Sequence, residues 1–73
     1  MYWTYAENSS NGTKSFYADT AADVANLPTY GAPGTQQGKD IKSCEPVYYG
    51  SDCFVIETGE VYILNSSDVW TKI

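Results

Sequence analysis

The last third of the chain sets the tightest constraint on its fold. Asp52-Cys53-Phe54-Val55-Ile56-Glu57, Val61-Tyr62-Ile63-Leu64 and Val69-Trp70-Thr71-Lys72-Ile73 are short runs rich in β-branched and aromatic residues. Thr58-Gly59 separates the first two and Asn65-Ser66-Ser67-Asp68 the last two. This is turn chemistry at hairpin spacing, and it predicts a three-stranded antiparallel meander. If Thr58-Gly59 is a two-residue loop, Ile56 faces Val61 and Phe54 faces Ile63. A four-residue second loop sets Leu64 opposite Val69 and Ile63 opposite Trp70. One face then carries Phe54, Ile56, Val61, Ile63 and Trp70; the other carries Cys53, Val55, Tyr62, Leu64, Val69, Thr71 and Ile73. A half-exposed antiparallel sheet is polar on one side. This one is apolar on both, so one face covers the domain's own core and the second must meet the N-terminal half or another chain. The register also sets Glu57 beside Glu60, an unfavourable pair that a longer loop relieves.

The N-terminus predicts a second hairpin. Tyr2 to Glu7 is strand-like, Asn8 to Thr13 is a turn cluster around Asn11-Gly12, and Lys14 to Ala18 resumes an extended pattern. A short helix follows over Asp19–Pro28: Asp19 or Thr20 caps it, Asp23 suits its first turn, Val24 and Leu27 share a face, and Pro28 stops it. Residues 29–44 have no periodicity, several glycines and little to bury, which reads as a long irregular loop, either mobile or used for binding. The expected fold is therefore mainly β. It is a small single domain, 1–73, with a C-terminal meander, an N-terminal hairpin and one short helix.

Size and composition narrow the chemistry. A chain of 73 residues buries about 60–65% of its unfolded surface, so the core is marginal and needs a disulfide, a metal or a partner. With no His, two Cys and scattered carboxylates, no metal site is expected, and no cofactor. Nucleophilic catalysis lacks its usual base, and Glu57 and Glu60 sit at a hairpin tip rather than in a cleft, so an enzyme is not expected. Four Lys and no Arg against nine acidic residues leave a net charge of −5, which argues against nucleic acid and against anionic membrane surfaces. No apolar run is long enough to span a bilayer. The start Met1-Tyr2-Trp3-Thr4-Tyr5 lacks the basic and apolar stretches of a signal peptide, which points to synthesis in a cytoplasm.

Cys44 and Cys53 form the one candidate disulfide. Bridged, they contribute roughly 2.5–3 kcal/mol in an oxidising compartment; in a reducing cytoplasm both are small buried thiols, the reading that the N-terminus favours. The aromatics carry the functional hint. Seven Tyr and two Trp exceed what one small core takes up, and these residues suit interfaces, although a β-sheet alone also employs them. The candidate contact residues are Tyr62, Leu64 and Val69 on the meander's second face, with Trp70, Trp3 and Tyr30.

The segment Gly50-Ser51-Asp52 through Thr71-Lys72-Ile73 resembles the ends of small structural proteins of tailed bacteriophages and prophages: a Gly-Ser lead, an apolar strand, a short turn, a Val-Tyr strand and a terminal Trp strand. Tyr17-Ala18-Asp19-Thr20 through Asn26-Leu27-Pro28-Thr29 is similar to the helix and Leu-Pro-Thr stop upstream in such proteins, and the two regions cover about half the chain. The resemblance implies a non-enzymatic virion component made in the bacterial host cytoplasm. Decoration of the capsid is the expected role, as a head decoration or head-fibre-like protein bound to the major capsid protein, with a homo-oligomer also open. It fixes no site residue. The alternatives are a tail, fibre or head–tail connector component, and a secreted, disulfide-stapled binding domain.

Overall fold

The computed structural model describes residues 1–73. Five strands form one mixed sheet in chain order: β1 (Tyr2–Asn8), β2 (Thr13–Ala18), β3 (Asp52–Val55), β4 (Glu60–Leu64) and β5 (Trp70–Lys72). The mainly-β expectation holds, with both the hairpin and the meander present. What joins them is a parallel seam: Phe16 pairs with Cys53, Tyr17 with Phe54 and Ala18 with Val55. Parallel neighbours require a crossover. Here it runs from residue 19 to 51 and lies over one face of the sheet, sending Leu27, Pro28, Ser43 and Val47 into the interior.

The short helix exists, but as a 3₁₀ segment over Ala21–Asn26. The Asp23 carboxylate accepts hydrogen bonds from the Thr20 N–H and hydroxyl, closing its first turn. A three-residue period puts Ala21, Val24 and Leu27 in line, and all three pack on the core. Pro28 then ends it.

The irregular stretch 29–44 is fastened rather than loose. Tyr2 Oη–H donates to the Thr35 carbonyl at 3.1 Å, and the Ser43 hydroxyl accepts from the Thr4 N–H at 3.0 Å. Gly34 N–H donates to Cys44 O, and a second 3₁₀ turn spans Lys42–Cys44. Gly34 passes so close to the sheet that a β-carbon would lie 2.5 Å from Tyr2 Oη and 2.7 Å from both Asn26 O and Pro28 N. These contacts hide the backbone polar groups of the chain that roofs the core, which a buried segment requires.

Both expected meander registers are corrected. Phe54 pairs with Val61, so the β3–β4 loop has four residues, Ile56–Gly59, with Gly59 left-handed at φ +73° and its N–H on Val55 O. The longer loop removes Glu57 from the ladder, which relieves its repulsion from Glu60. The shift is two residues and leaves the faces of β3 and β4 as expected. Across the next turn Leu64 pairs with Trp70 and Ile63 with Thr71. That is a slip of one residue, so Trp70 changes face and joins Leu64.

Candidate functional site

Alternation along the strands splits the sheet into a covered and an open face. Tyr2, Phe16, Ala18, Cys53, Val55 and Leu64 point under the crossover and, with Leu27 and Val47, make the core. Tyr2 meets Phe16 edge-on at 5.8 Å, and Phe16 meets Trp70 in the same way at 6.1 Å. Burial pushes the Tyr2 phenol and the Cys53 thiol up to about 12 each. Trp70 is anchored by its indole N–H, which donates to Pro28 O at 3.0 Å.

The opposite face has no element over it. Trp3, Tyr17, Phe54, Val61 and Ile63 lie along it by register. Tyr5 joins them through a β-bulge: the register shifts between Thr4 and Ala6, and the extra residue re-aims a side chain. As a result the Tyr5 ring stacks on Tyr17 at 4.2 Å. Trp3 flanks Tyr17 at 5.9 Å, and Phe54 meets it edge-on at 6.2 Å. This is a continuous aromatic row across three strands, with Tyr5 49% and Phe54 36% exposed and with Ile73 (78%) beyond it. This exposed apolar row is the candidate contact site, since contiguous apolar patches are where soluble proteins commonly meet partners.

A second aromatic group lies on the crossover. Tyr30, Tyr48 and Tyr49 gather within 5.0–5.3 Å of one another. The Asp68 carboxylate fixes the Tyr30 segment by accepting from the Tyr30 N–H at 2.7 Å and the Gly31 N–H at 3.0 Å. Desolvation, with help from Asp68, holds the Tyr49 phenol above its ordinary value. The rings tilt against one another at 39–76° and offer no flat platform.

The six expected contact residues are therefore not one surface. Trp3 is on the open face and Tyr30 in the tyrosine group. Val69 is 55% exposed in the β4–β5 turn. Leu64 is 1% exposed and belongs to the core, while Tyr62 and Trp70 pack against it on the covered side. The expected contact face of the meander is thus the covered one, and its opposite is open. Sequence reasoning missed Tyr5 and Tyr17 altogether and took Phe54, Val61 and Ile63 for core. Tyr5 carried no signal, because the bulge that turns it arises only on pairing with β2.

Cys44 and Cys53 are unbridged: the Cys44 thiol donates to Ile41 O at 3.0 Å, and Cys53 is buried in the sheet. No group of three or more His, Cys, Asp and Glu side chains is placed to hold a metal ion. No helix is long and apolar enough to cross a membrane. A polar groove of about 330 Å³ runs along the β1 edge between Thr4–Glu7 and Asp40–Ser43. Its bulge and its charged Glu7 and Lys42 are features that blunt an edge strand against further pairing. No family model matches this chain, and neither a curated protein nor a solved structure does.

Proposed function

We propose that this chain is a non-enzymatic structural protein that docks on a larger protein assembly through the open aromatic face of its sheet. The observation that carries the reading is the uncovered row Trp3–Tyr5–Tyr17–Phe54, backed by Val61 and Ile63. Aromatics on a rigid sheet bury much area at low entropy cost, which is what contact surfaces use. Only 11 of 73 residues are buried, so such a chain gains from docking, since binding to the folded state adds to its stability by mass action.

The resemblance of residues 50–73 to virion structural proteins supports the capsid shell as that assembly, with this chain as its decoration. The test is the copy number of the chain in gradient-purified particles from its source, by quantitative mass spectrometry against the major shell protein. A fixed ratio near one per shell subunit or per small cluster of subunits supports decoration. A handful of copies moves the chain to the tail or connector, and absence from every particle fraction overturns the virion reading. Tyr17→Ser and Phe54→Ser chains, folded by circular dichroism, are expected to lose attachment; attachment at wild-type levels would remove the open face from the proposal.

A further inference from the structure

The charges around the open face are one-sided. Of the four lysines, only Lys14 and Lys72 lie in strands, and register sends both to the covered side. There Lys14 Nζ lies 3.5 Å from Glu45 and donates to Lys42 O, and Lys72 lies 2.9 Å from Glu60. Lys39 and Lys42 belong to the crossover. On the open side the one charged strand residue is Asp52, whose register partners are Ser15 and Ile63 and whose carboxylate accepts from the Ser15 hydroxyl. Glu57 stands exposed in the β3–β4 turn beside the half-exposed Ile56. Neither acid is in an ion pair.

Two copies meeting face to face would set Asp52 of each chain at the contact with no lysine on that face to pair it, at −5 per chain. Like-charge juxtaposition is costly at an interface, whereas opposite potentials steer and fix it. We infer that the open face is covered by a lysine- or arginine-rimmed apolar patch on a different protein, and not by a second copy of this chain. This rests on the docking reading above and adds the chemistry of the partner.

The probe is a pair of short peptides, one of alternating Leu and Lys and one of alternating Leu and Glu, titrated into the isotope-labelled full chain and followed by amide NMR. The Leu–Lys peptide is expected to shift the Trp3 indole and the Tyr17, Phe54 and Ile63 amides. Its binding should weaken as salt is raised, and Asp52→Asn should weaken it roughly two- to five-fold, the scale of an exposed ion pair. The Leu–Glu peptide should leave these signals in place. Equal binding of both peptides, shifts confined to the Asp40–Glu45 segment, or dimerisation through Phe54 at low salt would each overturn the inference. Loss of particle attachment in Tyr17→Ser together with any of these results would leave the docking reading standing and remove the basic rim alone.

Discussion

The two faces of this sheet use nearly the same residue types for opposite purposes. Under the crossover, Tyr2 and Phe16 are sealed, and polar side chains within the layer find partners: Tyr2 Oη–H on Thr35 O, Ser43 Oγ at the Thr4 N–H, and the Ser51 hydroxyl on Tyr48 O. On the other side Trp3, Tyr5, Tyr17 and Phe54 form a row with no element over it, and Tyr5 and Phe54 stay substantially in water. Aromatic content therefore does not separate the core from the open face here. The presence or absence of a covering layer does, and only one such layer exists because a single crossover links β2 to β3.

The sharpest way to break this contrast is to truncate the same kind of ring on each side. Phe16→Ala should cost about 3–5 kcal/mol, the range for a buried aromatic, and leave the chain largely unfolded in urea titrations followed by tryptophan fluorescence. Gly34→Ala tests the cover itself. Two backbone atoms stand 2.7 Å from the new methyl, so the crossover must shift, at about 1–3 kcal/mol by the same titration. Trp70→Phe keeps the ring contact but leaves Pro28 O without its donor, which is expected to cost about 1 kcal/mol. Phe54→Ser, on the open face, should change stability by less than about 1 kcal/mol while abolishing docking. Losses of similar size for Phe16→Ala and Phe54→Ser would erase the distinction.

Alkaline titration sharpens the comparison further. Cys53 and Tyr2 hold their protons up to about 12 in the folded chain, against ordinary values of 9.0 and 10.0. Between those values and about 12 the unfolded chain binds fewer protons than the folded one, so stability falls as pH rises. The contribution is complete below pH 9, starts to fall there with Cys53, and falls more steeply above pH 10. Cys53→Ala should remove the earlier part of the fall, measured by urea midpoints across that range.

Much of this architecture is legible from local pattern. The runs at 2–7, 14–18, 53–55, 61–64 and 70–72 are strands, and Thr20, Asp23 and Pro28 bracket a short helix. The candidate site is less legible. Of the expected contact residues Trp3 lies on the open face, whereas Leu64, Tyr62 and Trp70 face the core. The reason lies in alternation: it says which residues share a face, and when both faces are apolar it does not say which is covered. The β4–β5 turn compounded this, since one added residue in the loop carried Trp70 across the sheet.

What the sequence by itself determines is therefore where the strands run and where the chain turns back between antiparallel neighbours, together with the capped helical turn and a sheet without a polar side; the length of each meander turn, and so its register, is set only on pairing. The tertiary structure alone decides the rest. The parallel seam between β2 and β3 joins segments more than thirty residues apart, with no turn between them to announce the pairing. That seam places the crossover over Phe16 and Cys53 and leaves Tyr17 and Phe54 bare. Local turn chemistry encodes antiparallel contacts because the loop that makes them is short, whereas a parallel contact is encoded only in how a long connection finds its place on the sheet.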